Sequence, residues 1–149
     1  MEHSVNEIQI SYREKLSILK SLSITNSKDV GALLFNNWDA DTIGLHETFM
    51  ILLLNRSNKV KGIYQISQGG ITGTLVDLRI LFAVVLKTLS VGILLAHNHP
   101  SGKLQASQPD RDITHKIQRA AQLFDVKVLD HIIIAPDGKY FSFADQGVL

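Results

Sequence analysis

The segment from Val91 to Phe124 reads VGILLAHNHPSGKLQASQPDRDITHKIQRAAQLF, and its pattern is the most informative one for the fold class. Its apolar start, Val91–Ala96, has the length and composition of a short buried strand. The segment Ser107-Gln108-Pro109-Asp110 is a capping signal, which predicts the start of a helix that runs to about Phe124. A strand that leads through a polar loop into a helix is typical of α/β folds.

Further elements are expected on both sides of this unit. Apolar runs bounded by turn residues predict strands, and capping residues before apolar stripes at helical spacing predict helices. In chain order we expect a short strand at Ile8–Tyr12, a helix from Asn26–Ser27 to Trp38, a strand opened by Glu47 (ETFMILLL), a strand at Val60–Ser67, a helix over Leu75–Leu89 with Thr74 and Asp77 as its capping box, and strands at Val126–Ala135 and Lys139–Phe143. The predicted fold class is α/β, a mixed central sheet with flanking helices.

The composition limits the chemistry. With 149 residues, 45% hydrophobic and 19% charged, the chain has the size and balance of one ordinary globular domain. Its net charge of +1 attracts by itself neither nucleic acid nor a membrane. There is no cysteine, which excludes disulfides, thiol nucleophiles and cysteine-bound zinc. Any metal ion must therefore be held by His, Asp or Glu.

The sequence lacks the patterns of export and membrane insertion. Its start, MEHSVNEIQISYREK, shows no basic segment followed by an apolar one, as a signal peptide would. The most apolar segments, Met50–Leu54 and Ile80–Leu86, are far shorter than the ~20 residues of a membrane helix. We therefore expect a cytoplasmic protein with no membrane partner.

The polar residues after the predicted strand have the spacing of a metal site. His97 and His99 are two residues apart at the strand's C-terminal end, so extended geometry projects both imidazoles to one side. Asp110 occupies the first turn of the next helix, in line with its apolar face, where a carboxylate is costly unless something pairs with it. Two imidazoles and one carboxylate form the ligand set of a catalytic zinc ion, with the fourth position left to water.

Two further residues have the types that such chemistry needs. Glu47 lies at the mouth of a central apolar strand, where a carboxylate suits a general base that takes a proton from the attacking water. Ser107 lies three residues before Asp110, where its hydroxyl suits stabilisation of a developing oxyanion. We therefore predict a zinc-dependent hydrolase with Glu47 and Ser107 as catalytic residues and with three metal ligands, His97, His99 and Asp110.

The pattern Glu47 … His97-x-His99-x(7)-Ser107-x-x-Asp110 resembles the JAMM motif of the JAB/MPN metalloproteases at every spacing. Three segments resemble RadC, a family named for DNA repair. They are HNHPSG at His97–Gly102, LN at Leu54–Asn55 and DHIII at Asp130–Ile134. The resemblance covers roughly residues 26–149. It implies the cytidine-deaminase-like three-layer α/β/α sandwich, cleavage of peptide or isopeptide-like amide bonds, and the residue roles given above.

The resemblance also frames the expected organisation. We expect a single RadC-like JAB/MPN domain over residues 1–149, with its motifs in about 26–149 and residues 1–25 as an N-terminal extension. Longer RadC proteins carry a helix-hairpin-helix region, which we do not expect in this chain. The expected partner is a peptide or protein substrate, and nucleic acid enters only through the family name. The short terminal strand leaves pairing with a second copy open.

Several of these residues also have purely structural interpretations. The pair Ser107–Asp110 has the spacing of a capping box, and Glu47 is of a type often solvated at a strand end. Asp130 and His131 either support the metal site or are satisfied by local hydrogen bonds. Ser101 fits a turn as well as it fits a donor at the metal site.

Two other functions stay open beside the hydrolase. The first is a DNA-repair-associated accessory protein that acts on or binds nucleic-acid-linked substrates, and the second is a binding module that has lost its activity. Other motifs fail at particular positions. The letters HNH do not form the nuclease motif, which spreads its residues over a long ββα unit. His46-Glu47 begins like HExxH, but Met50 stands in place of the second histidine.

Overall fold

The computed structural model describes residues 4–9, 11–69 and 75–149. Within them lie three α-helices: α1 at Ser27–Asn37, α2 at Leu78–Lys87 and α3 at Gln108–Gln122. A 3-10 turn covers Ile18–Lys20. Five strands form one sheet: β1 at Thr48–Leu54, β2 at Val60–Gln68, β3 at Gly92–Asn98, β4 at Lys127–Ile134 and β5 at Tyr140–Ser142. The predicted α/β class is confirmed.

The sheet is mixed, with the strand order β2-β1-β3-β4-β5. β1 runs antiparallel to both β2 and β3, β3 runs parallel to β4, and β5 is antiparallel to β4. β3 occupies the centre, and all its residues are buried. β3 and β4, which α3 connects, are parallel neighbours, so their C-terminal ends lie at the same edge of the sheet. In α/β folds, such an edge is where ligand sites form.

Helices cover both faces of the sheet. One core cluster joins the sheet to α2 and α3, and it includes Ile51, Leu81, Val85, Ile93, Leu95 and Ile117. The other joins the opposite face to α1, and it includes Val30, Leu34, Leu52, Leu94, Ala96 and Ile132. Because side chains alternate along a strand, His97 projects to the face of α2 and α3, and Asn98 projects to the face of α1.

The helix boundaries follow their capping residues. α1 begins where expected, because Asn26 Oδ1 accepts a hydrogen bond from the Asp29 N–H at 2.9 Å. The predicted start of α2 at Leu75 is wrong: Asp77 caps this helix by accepting from the Arg79 N–H at 2.9 Å. Thr74, its expected partner in a capping box, lies outside the described residues. No helix among the described residues is long and apolar enough to cross a membrane.

The strand expected at Ile8–Tyr12 is also wrong, since the residues described there have no regular structure and Ile10 lies outside the described part. The physical reason is that, of the residues described there, Ile8 is 88% exposed and Tyr12 is 44% exposed, so they bury too little apolar surface to hold a strand. Leu22, further along the chain, contacts the edge strand β2 instead: its carbonyl accepts from the Val60 N–H at 2.9 Å.

Candidate metal centre

Two imidazoles meet at the C-terminal end of β3. His97 lies within the strand and is 2% exposed, and His99 follows directly after it. The N–H of His99 donates to the Ile134 carbonyl at 3.0 Å, which continues the pairing with β4 and keeps both rings on one side. The two Nε2 atoms are 3.0 Å apart. The i, i+2 spacing therefore brings two nitrogen ligands to one point.

Asp110 approaches the two histidines from the first turn of α3. Its Oδ1 lies 3.3 Å from His97 Nε2, and its Oδ2 lies 3.4 Å from His99 Nε2. A capping box holds the carboxylate: Oδ2 accepts from the Ser107 N–H at 2.9 Å, and the Asp110 N–H donates to Ser107 Oγ at 3.2 Å. The candidate ligand atoms of His97, His99 and Asp110 all lie within 4.8 Å of one another.

Hydrogen bonds at the outer nitrogens aim both imidazoles at this point. His99 Nδ1 donates to the Lys103 carbonyl at 2.7 Å, so Nε2 is the nitrogen that turns toward Asp110. His97 Nδ1 lies 2.8 Å from Nε2 of His131, which leaves His97 Nε2 facing the other two ligands. Metal-binding histidines usually have such a partner at the second nitrogen. Two nitrogens and a carboxylate converging in this way suit a divalent cation such as zinc.

Electrostatic coupling within the triad supports the same fit. Burial alone would raise the pKa of Asp110, but the imidazoles of His97 and His99, whose Nε2 atoms lie 3.3 and 3.4 Å from its carboxylate oxygens, outweigh it and hold the pKa well below its ordinary value. Burial alone would lower the pKa of His99, but hydrogen bonds to Asp110 and to the Lys103 carbonyl raise it above its ordinary value. The ionised carboxylate thus favours a proton on the neighbouring imidazole. A metal ion bound here would take the place of that proton.

Glu47 lies beside the triad and lines a cavity of about 210 Å³ together with His97 and Asp110. It directly precedes β1, and its carbonyl accepts from the Gly69 N–H at 2.8 Å. The rest of the cavity wall is apolar and consists of Phe49, Leu75, Val76, Pro109 and Ile113. The structure therefore brings Glu47 to the candidate ligands and sets apolar surface next to it.

Ser107 and Ser101 both have structural roles. The capping-box interpretation of Ser107 is confirmed, since its Oγ accepts the Asp110 N–H. An accepting hydroxyl still has its own proton to donate, so a catalytic role is compatible with capping and stays a prediction. Ser101 Oγ accepts from the Lys103 N–H at 3.3 Å, which fits the turn interpretation.

Asp130 and His131 separate into different roles. His131 is fully buried against His97, and burial lowers its pKa well below the ordinary value, so the ring is neutral. Asp130 is satisfied away from the ligands: it accepts from Ser142 Oγ at 2.5 Å, from the Ala144 N–H at 2.9 Å and from the His131 N–H at 2.7 Å. His131 thus supports the candidate site, and Asp130 fastens β4 to the residues around β5.

Asn98 is a residue that the sequence analysis missed. It is fully buried on the α1 face, where its Oδ1 accepts from the Thr48 N–H at 2.7 Å. Its Nδ2 donates to the carbonyls of Ile43 at 2.7 Å and His46 at 2.9 Å. These three bonds hold the loop that contains Glu47. A signal was present, because a buried asparagine in a strand must find hydrogen-bond partners.

Fold and site together define an α/β domain with a candidate His-His-Asp metal centre at the end of its central strand. The family described as RadC-like JAB domain matches residues 24–148, and the chain belongs to this family.

Curated relatives support this assignment. A protein of Flavobacterium johnsoniae is 44% identical over 147 residues, which cover 97% of this chain and 62% of the relative. One of Porphyromonas gingivalis is 43% identical over 103 residues, which cover 69% of this chain and 45% of the relative. Both bear the name UPF0758 protein, which states no activity. The chain thus spans 62% and 45% of the length of these relatives.

Proposed function

We propose that this chain is a zinc-dependent hydrolase of the JAMM type, which cleaves peptide or isopeptide-like amide bonds. The observation that carries the proposal is the convergence of the ligand atoms of His97, His99 and Asp110 within 4.8 Å of one another. Two imidazoles and one carboxylate are ligands that catalytic zinc sites use, with a fourth position left for water. Membership of the RadC-like JAB domain family supports the same chemistry.

A zinc ion at this site would lower the pKa of a coordinated water to about 7 and polarise an amide carbonyl. We assign Glu47 as the general base, because it lines the same cavity as His97 and Asp110. Its carboxylate accepts a proton from the attacking water and passes that proton to the leaving amine nitrogen. The Ser107 hydroxyl, which only accepts in the capping box, donates its proton toward the carbonyl oxygen as negative charge develops there.

The volume and the lining of the cavity support a peptide substrate. Its volume of about 210 Å³ is below the roughly 300–1,000 Å³ of pockets that enclose whole small ligands. A cavity of this size suits one side chain of a substrate that lies across its opening. Phe49, Val76 and Ile113 in the wall favour an apolar side chain.

The finer architecture belongs to the same proposal. Helix α1 on one face of the sheet and helices α2 and α3 on the other support the cytidine-deaminase-like three-layer sandwich. We assign residues 26–149 to the motif-bearing part of a single domain and residues 1–25 to an N-terminal extension.

The alternative of a DNA-repair accessory protein rests on the RadC name alone. A net charge of +1 offers little of the phosphate neutralisation on which DNA binding depends. DNA binding at physiological ionic strength that weakens steeply with added salt would support the alternative. We expect no such binding.

Cobalt substitution and one conservative variant test the proposal. Co²⁺ bound by His97, His99 and Asp110 with one water is expected to show the intense visible bands of a four-coordinate ion, in the parent and in Glu47→Gln. Turnover of fluorogenic peptide and isopeptide substrates should fall about 10²–10⁴-fold in Glu47→Gln, because the general base is lost. Glu7→Gln, at an exposed glutamate, serves as the matched control. Absent cobalt bands in the parent would refute the metal site, and full turnover in Glu47→Gln would refute the assigned base.

A further inference from the structure

A chain of hydrogen bonds links two of the candidate ligands through residues outside the triad. His97 Nδ1 lies 2.8 Å from Nε2 of His131 on β4, and His131 Nδ1 lies 2.6 Å from Oγ1 of Thr114 on α3. Thr114 Oγ1 in turn lies 2.6 Å from the carbonyl oxygen of Asp110. His131 and Thr114 are both 0% exposed, so water does not compete for these bonds.

The proton positions along this chain of hydrogen bonds follow from its last member, the Asp110 carbonyl. The Asp110 carbonyl can only accept, so the Thr114 hydroxyl donates its single proton there. Thr114 Oγ1 is then an acceptor for His131, which must carry its proton on Nδ1. A second proton would put a positive charge on a fully buried ring whose partners are an imidazole and a hydroxyl. His131 therefore keeps a lone pair on Nε2, and it accepts the Nδ1 proton of His97. As a result, Nε2 of His97 carries the lone pair that a metal ion requires.

We propose that His131 and Thr114 are positioning residues: they hold His97 in its metal-binding tautomer and tie it to the helical turn that carries Asp110. The inference rests on the metal site of the proposed function and assigns it two supporting residues. In many metal sites the outer partner of a histidine is a carboxylate or a carbonyl, which can only accept. The partner here is a second imidazole, which can accept or donate. The hydrogen bond from His131 to Thr114 decides whether His131 accepts a proton from His97 or donates one to it.

Removal of the Thr114 hydroxyl would release this constraint. His131 could then carry its proton on Nε2 and donate it to His97 Nδ1, which moves the proton of His97 to the nitrogen that faces the metal position. The His131 ring itself stays in place, because Phe143 stacks on it with a centroid distance of 4.5 Å and an interplanar angle of 13°. The expected change is therefore one of tautomer rather than of ring position.

The matched variants Thr114→Val and Thr114→Ser test this inference. Valine keeps the branched shape and removes the hydroxyl, whereas serine keeps the hydroxyl and removes the methyl group. Zinc affinity, measured by competition with a chromophoric chelator, should fall about 10–100-fold in Thr114→Val and stay close to the parent value in Thr114→Ser. Ile117→Val removes one methyl group from the same buried helix face, and it should leave zinc affinity unchanged.

A spectroscopic measurement separates tautomer from packing. Nitrogen-15 NMR of the metal-free proteins should show His97 protonated on Nδ1 in the parent and in Thr114→Ser, and on Nε2 in Thr114→Val. Unchanged zinc affinity and an unchanged His97 tautomer in Thr114→Val would overturn the inference. Equal losses of affinity in Thr114→Val and Thr114→Ser would overturn it as well, since they indicate a packing effect.

Failure of the proposed function gives a different result. If the parent binds no zinc, the metal site is wrong, but the NMR measurement on metal-free protein still decides the role of Thr114. A proton on His97 Nε2 in the parent would then overturn the inference. A proton on His97 Nδ1 that moves to Nε2 in Thr114→Val alone would support the role of Thr114 and His131 in fixing the tautomer of His97.

Discussion

Asn98→Ala tests how the loop that contains Glu47 is held. The Asn98 side chain is 0% exposed and makes three hydrogen bonds to backbone groups, at 2.7, 2.7 and 2.9 Å. Each such bond contributes roughly 0.5–1.5 kcal/mol, and a buried group left without a partner costs about 1–3 kcal/mol. Truncation leaves one N–H and two carbonyls unpaired. We therefore expect the free energy of unfolding to fall by about 3 kcal/mol or more.

Urea unfolding followed by the fluorescence of Trp38 measures this loss. Trp38 is the single tryptophan and is 6% exposed, so its emission reports on the core next to α1. The midpoint should shift while the slope stays constant. In thermal unfolding, about 3 kcal/mol corresponds to a decrease in Tm of roughly 6–12 °C for a chain of this size.

Asn37→Ala is the matched control, because Asn37 is exposed and donates one side-chain hydrogen bond, to the Leu33 carbonyl at 2.8 Å. Its expected loss is within about 0.5 kcal/mol. Zinc affinity should survive in Asn98→Ala, since Asn98 projects to the sheet face opposite His97. A loss below about 1 kcal/mol, or one equal to that of Asn37→Ala, would refute the anchoring role.

Two further predictions concern pH and packing. Below the raised pKa of His99, zinc affinity should rise with pH by up to about tenfold per pH unit, because zinc must displace the His99 proton. Above that pKa, the affinity should level off. Calorimetric titrations between about pH 6 and 8 that give constant affinity would contradict this. Gly31→Ala should destabilise the fold by about 1–3 kcal/mol despite the better helix propensity of alanine, because its Cβ would lie 2.7 Å from Tyr140 Cδ1. An unchanged or higher urea midpoint would show that Tyr140 moves aside freely.

Local signals allowed much of the fold and the triad to be predicted. The capping box at Ser107 and the i, i+2 spacing of His97 and His99 are set by neighbours in the chain, and both are present in the structure. The start of α2 was misjudged because two residues three apart, Thr74 and Asp77, both suit a helix cap. Asp77 alone caps the observed helix.

Contacts between distant residues could not be predicted in the same way. His131 and Thr114 are 17 positions apart, and Asn98 and Ile43 are 55 apart. Which of them meet depends on the order of the strands and on which face each side chain takes. Sequence spacing contains neither, so support of the metal site by His131 was one of two open alternatives, and the roles of Thr114 and Asn98 emerged only with the tertiary structure.

The most direct test of the metal centre is the zinc content of the protein purified without chelator. The parent should contain about one zinc ion per chain, and Asp110→Ala should contain almost none because a ligand is lost. Asp112→Ala, two residues away at an exposed position of the same helix, should match the parent. No zinc in the parent after incubation with the metal, or equal zinc in Asp110→Ala, would contradict the proposed centre.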